Sequence, residues 1–151
     1  KLLSSIYKSP SKTSEVISQI IYGEKFDILS KNKIIAMVGA SKNWKRPSNF
    51  VMKYLQKHGF TVIPINPGNA GQFILNELCY ASLQEVPIKI DMVNIFRPSE
   101  FCASITKDAI NIGAKTVWMQ LGIKNEEAIN LGKKAKIHLI IHMVCIFAFP
   151  L

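Results

Sequence analysis

Between Asp27 and Glu77 the chain carries no acidic residue, while Lys31 to Lys57 is rich in lysine and arginine. An ordinary NAD site takes an Asp or Glu at the end of its second strand to hold the ribose hydroxyls; here that position falls at Asn66 and Pro67. Glycine is sparse where a dinucleotide fold would need it. Gly39 is followed by Ala40, Ser41, Lys42, Asn43 and Trp44, so there is no G-x-G-x-x-G, and no G-K-[ST] forms a Walker loop. The three cysteines, Cys79, Cys102 and Cys145, are far apart and odd in number, which excludes a disulfide framework and a C-x-x-C metal or redox pair. Long apolar runs are also missing. The apolar C-terminal stretch, Ile137 to Leu151, is short for a membrane span and is interrupted by His138 and His142, so no membrane partner is expected. Zinc spacing, an aromatic RNP-like strand and a basic heptad helix are all absent, so no nucleic-acid partner is expected.

A chain of 151 residues with 48% hydrophobic content is sized for one α/β core. Its net charge of +9 fits either a solvated basic surface or an anionic partner, and the bias around the first apolar run favours the partner. That run, Ile34 to Val38, breaks at Gly39 into a basic loop that hands over to a helical pattern near Ser48. A strand, a small-residue turn and a helix N-terminus present free N–H groups and a positive dipole end, a site that favours phosphate. Lys42, Lys45 and Arg46 add cations to the same loop. The expected ligand is a phosphorylated small molecule more anionic than NAD.

The rest alternates strands and helices. Val51, Met52 and Leu55 mark a helix over Ser48 to His58, stopped by Gly59, and Phe60 to Ile65 is the second strand. Pro64 lacks a ladder donor, so that strand is expected to bend or lose pairing at its end. Ser82 to Glu85 reads as a capping box, and Asp91 to Phe96 as the third strand. The next helix is expected to bury Phe101, Ile105, Ala109 and Ile112 and to stop at Gly113. Thr116 to Gln120 is the fourth strand, Asn125 caps a last helix, and Ile137 to Cys145 is the fifth strand. Strands separated by helices imply a doubly wound, Rossmann-like sheet of about five mostly parallel strands with helices on both faces. Residues 1–32 read as an N-terminal extension, with Val16, Ile17, Ile20 and Ile21 fitting either a helix face or a strand; residues 33–151 form the domain.

In such sheets ligands lie beyond the strand C-termini, which groups Gly39–Ser41, Asn66–Pro67, Phe96–Ser99 and Gln120–Gly122 around one site. Arg97-Pro98-Ser99 reads either as site lining or as a helix cap with a surface Arg. His138 and His142 share a face but lack a carboxylate or thiol at useful spacing, so they read as core or surface rather than metal ligands. Cys145 has no activating base and reads as a buried thiol.

The segments IIAMVGASKNWKRPSNFVMKYLQKHGF, VIPINP, YASLQEVP, DMVNIFRPSE and IGAKTVWMQLGI, in order from Lys33 to Ala135, resemble the small bacterial CoA-binding proteins. These are related to the nucleotide-binding domain of the succinyl-CoA synthetase α subunit. The resemblance implies a stand-alone Rossmann-like domain that holds coenzyme A or an acyl-CoA in the cytoplasm without a catalytic constellation of its own. The alternative it leaves is an enzyme or ligase subunit acting on acyl-CoA thioesters. It implies a phosphate-facing turn at Gly39, Ala40 and Ser41, with Lys45, Arg46, Pro47 and Ser48 at the phosphates and Arg46 as a charge-assisted fork. Asn66 and Pro67 would border the nucleotide end, Phe96 and Arg97 would line the next strand end, and Gln120 and Gly122 would border the pantetheine side. A homodimer is left open. At the C-terminus the chain departs from the family: in IIHMVCIFAFPL only Cys145 matches the usual M-[ND]-R-C-x-K-[IV]-E-[YF], and its Arg, Lys and Glu are absent.

Overall fold

The computed structural model describes residues 33–141. Readings that fall on residues 1–32 and 142–151, including the extension, His142 and Cys145, lie outside the described residues. Within them the order is β1 (Ile34–Val38), α1 (Pro47–Lys57), β2 (Thr61–Ile65), a hairpin of β3 (Phe73–Ile74) and β4 (Glu77–Leu78), then β5 (Met92–Ile95), α2 (Cys102–Asn111), β6 (Thr116–Met119), α3 (Glu126–Lys134) and β7 (His138–Ile140).

Five strands form one sheet in the order β2-β1-β5-β6-β7, every neighbouring pair parallel. From β1 the chain moves to one side for β2 and then to the other for β5, β6 and β7. Right-handed crossovers therefore put α1 on one face and α2 and α3 on the opposite one. The residue pattern agrees. Ala36, Ile63, Ile65, Val93, Ile95, Val117 and Met119 pack with Cys102, Ile105 and Ala109 of α2 and Ala128 and Ile129 of α3. The alternate strand positions Ile35, Met37, Val62, Met92 and Trp118 are also buried, and α1 buries Val51, Met52 and Leu55. A sheet covered on both faces is why its strands read as unbroken apolar runs. Each fully buried Val, Ile, Leu or Met side chain among them contributes roughly 1.5–3 kcal/mol.

Three local expectations are corrected. Pro64 neither bends nor unpairs β2: its register with β1 holds from Thr61 through Ile65. The Pro64 carbonyl accepts from the Tyr80 N–H at 3.1 Å on the far side of the strand, so the missing donor also faces that outer edge. Phe101 lies outside the buried stripe of α2 and is exposed, because it ends a 3₁₀ turn, Ser99–Phe101, that changes the phase of the helix; the stripe is Cys102, Ile105, Thr106 and Ala109. The fifth strand is shorter than expected, opening at His138 rather than Ile137 and closing at Ile140, with Ile141 outside it.

Candidate functional site: the crevice at the strand carboxyl ends

The reversal of strand order at β1 opens a crevice between the carboxyl ends of β1 and β5, the usual ligand position in doubly wound sheets. Gly39 stands at its base with φ +92°, and its N–H donates to the Ile65 carbonyl at 2.9 Å. A Cβ at Gly39 would come within 2.4 Å of the Phe96 carbonyl oxygen and 3.2 Å of the Arg97 Cδ. Only glycine lets the β1 and β5 loops approach this closely. Ala40, next in the chain, is buried, and its carbonyl accepts from the Asn66 side-chain amide at 2.7 Å. The Asn66 Oδ1 in turn accepts from the Gly68 N–H at 2.9 Å. Asn66 thus staples the β2 end to the β1 turn, and Pro67 opens the 3₁₀ turn Pro67–Asn69 beside it.

The loop from Ser41 to Ser48 is folded by its own side chains. The Ser41 hydroxyl accepts from the Asn43 N–H at 3.1 Å, the Asn43 Oδ1 accepts from the Lys45 N–H at 3.0 Å, and buried Asn49 donates to the Ser41 carbonyl at 2.8 Å. Arg46 takes the N-cap position of α1 with extended backbone, Pro47 follows at the start of the helix, and Ser48 is buried. No side chain caps this helix end, and its first turn has no acidic residue. Lys42, Lys45 and Arg46 are all exposed around it. The Lys45 ammonium lies 5.6 Å from the centroid of the Trp44 ring, and the Arg97 guanidinium lies 4.5 Å from that of Phe101.

On the far side of the crevice, Gln120 donates through Nε2 to the Asn94 Oδ1 at 2.6 Å, and both residues are buried. The β5 and β6 loops are joined there, since the Lys124 N–H and the Asn125 amide donate to Ser99 at 3.1 and 2.9 Å. Gly122 turns with φ +80° in open space. The structure therefore sets Gly39 close against Phe96 and Arg97 and ties Ala40 to Asn66. It holds Ser41, Lys45, Arg46, Pro47 and Ser48 on one stiff loop, and sets Gln120 and Gly122 on the neighbouring strand end. Sequence reasoning missed Asn49, Asn94 and the link from Lys42 to Gln72. Asn49 and Asn94 carried a signal as polar residues within apolar patterns; the Gln72 link carried none. Among the described residues no group of three or more His, Cys, Asp or Glu could hold a metal ion, and no helix is long and apolar enough to cross a membrane.

The profile of the CoA-binding domain family matches residues 33–148, nearly the whole of this sheet and its loops. The chain belongs to that family. This CoA-binding domain is 36% identical over 108 residues to the uncharacterized protein YneT of Bacillus subtilis, a match spanning 72% of this chain and 78% of that one. It is 31% identical over 85 residues to an ADP-forming acetate–CoA ligase of Archaeoglobus fulgidus, covering 55% of this chain but 12% of the ligase. Among solved structures it resembles a Thermus thermophilus protein, cell-free ID.343, at a TM-score of 0.79 and 30% identity over 83% of this chain and 93% of that one. A hypothetical protein from Pyrococcus horikoshii superposes at 0.75 with 32% identity over 89% and 87% of the two chains.

Proposed function

We propose that this domain binds coenzyme A, free or acylated, as a non-catalytic module of the cytoplasm. The observation that carries the reading is the start of α1: a helix whose positive end has no capping side chain and no acid, and has Arg46 there instead. That arrangement is unfavourable until an anion arrives, and a pyrophosphate supplies one. In this reading the turn at Gly39, Ala40 and Ser41 offers backbone donors to the pyrophosphate. Lys45 and Arg46 supply charge, while Pro47 and Ser48 fix the helix end. Asn66 and Pro67 border the adenosine, Phe96 and Arg97 line the middle of the crevice, and Gln120 and Gly122 flank the pantetheine arm. The family membership supports the choice of coenzyme A, and the lack of an acid at the β2 end argues against NAD.

Calorimetric titration of the purified protein with CoA, and with NAD as comparator, tests the proposal. Saturable binding of CoA alone is expected, and a folded sample that ignores CoA would overturn it. The match to part of an ADP-forming ligase favours a second reading, in which the chain serves as a subunit acting on acyl-CoA thioesters. Turnover of an acyl-CoA by the purified protein would replace the first reading with that one.

A further inference from the structure

The cations around the crevice are aimed differently. The Lys45 ammonium sits over Trp44, the Arg97 guanidinium over Phe101, and Arg46 begins α1. Lys42 instead reaches across to the β2 side, where its Nζ donates to the Gln72 Oε1. Gln72 belongs to the turn that follows β2. Its N–H donates to the Asn69 carbonyl at 3.1 Å, and its own carbonyl accepts from the Cys79 N–H at 2.8 Å. The ammonium is thereby held beside the carboxyl end of β2. A second observation agrees: burial pushes the Cys79 thiol up, while a hydrogen bond with the Asn66 backbone and the positive charge of Lys42 pull the other way. Because its partner is a neutral amide, the charge of Lys42 is not cancelled there.

In doubly wound sheets the end of the second strand faces the ribose of the adenosine. An acid there accepts ribose hydroxyls, whereas a cation accommodates a phosphate on the ribose. From Asn66 to Asn76 this chain has neither acid nor cation of its own. We infer that Lys42, steered by Gln72, reads a phosphate on the ribose of the bound adenosine nucleotide, so that the site selects 3′-phosphorylated ligands. The inference rests on the coenzyme A reading and adds a division of labour to it. Arg46 and the Gly39 turn meet the pyrophosphate, and Lys42 meets the 3′-phosphate. An ammonium has three donors, so it can keep Gln72 and still reach a phosphate oxygen.

Titration of the full chain with CoA and with dephospho-CoA tests this, using the wild type, Lys42→Ala and Gln72→Glu. Both residues are exposed, and thermal melts of each variant serve as the folding control. The wild type is expected to prefer CoA. Lys42→Ala should weaken CoA roughly tenfold, the loss of one charge-assisted hydrogen bond, and leave dephospho-CoA essentially unchanged. Gln72→Glu should collapse the same preference with the lysine still present, by setting a carboxylate against the ammonium. Equal weakening of both ligands by Lys42→Ala would move Lys42 to the pyrophosphate and overturn the assignment, as would unchanged CoA affinity. A wild type that binds both ligands equally would remove the 3′-phosphate subsite while leaving coenzyme A binding standing. A wild type that binds neither would end both readings.

Discussion

At α3 the positive end of the helix is answered from within the chain: Asn125 accepts from the Ala128 N–H at 2.8 Å, Glu126 and Glu127 fill the first turn, and Lys133 and Lys134 fill the last. At α1 the same end has Arg46, then Pro47, with no capping side chain and no acid. Both helices follow strands of one parallel sheet, and both need their first N–H groups satisfied. The difference is where the negative charge comes from. For α3 it is covalent and always present; for α1 it must be bound. A helix start of the second kind costs stability in the empty protein, about 0.3–1 kcal/mol for a misplaced charge, and that cost is recovered when an anion docks.

Giving α1 the solution used by α3 should break the contrast most sharply. Arg46→Glu places an acid at the N-cap, so the melting temperature should hold or rise slightly. Affinity for CoA should nevertheless fall about a hundredfold, near 2.7 kcal/mol, through loss of a charge-assisted contact and added repulsion. Paired melts and titrations read the two effects separately, and a variant that loses stability instead of affinity would make Arg46 a structural residue. The converse change, Asn125→Ala, should lower stability by about 1 kcal/mol in chemical denaturation and leave CoA affinity alone.

The smallest effect concerns the exposed pair at the start of α3. Lys124 donates to Glu126 at 2.6 Å, and that hydrogen bond, then the lysine charge, holds the Glu126 carboxyl below its usual range. A folded-state value lowered in this way adds stability at neutral pH, and the contribution disappears as pH falls through the lowered value. Such pairs contribute little in water. Lys124→Ala should therefore lower stability only marginally near neutrality, and that small gap from the wild type should close as pH falls through the lowered value in a series of chemical denaturations.

Much of this was legible in the sequence because the deciding signals were local. The break after Val38, the Asn125 cap with its acidic first turn, and the glycine stops at Gly59 and Gly113 each depend on neighbours in the chain. The β3–β4 hairpin was not legible. Its strands have two residues each, too short for a period, and its turn uses Leu75 and Asn76 at positive φ without a glycine. Asn94 illustrates a different limit. The apolar run around it marked a core strand, but its partner Gln120 is set by the pairing of β5 with β6, which only the fold specifies. Phe101 fell on the wrong side because a 3₁₀ turn winds three residues per turn and breaks the phase assumed for an α-helix.

Pro64 has a consequence for how molecules of this protein meet. It lies in β2, an edge of the sheet, with its ring nitrogen on the rim and its carbonyl already engaged by Tyr80; Tyr80 in turn accepts from the Asn66 N–H at 2.9 Å. A strand from another molecule that tried to extend the sheet on this side would meet a rim with one donor missing and adjacent groups occupied. Runaway edge-to-edge polymerisation is thus blocked at β2 by a single imino acid and a short bridging segment.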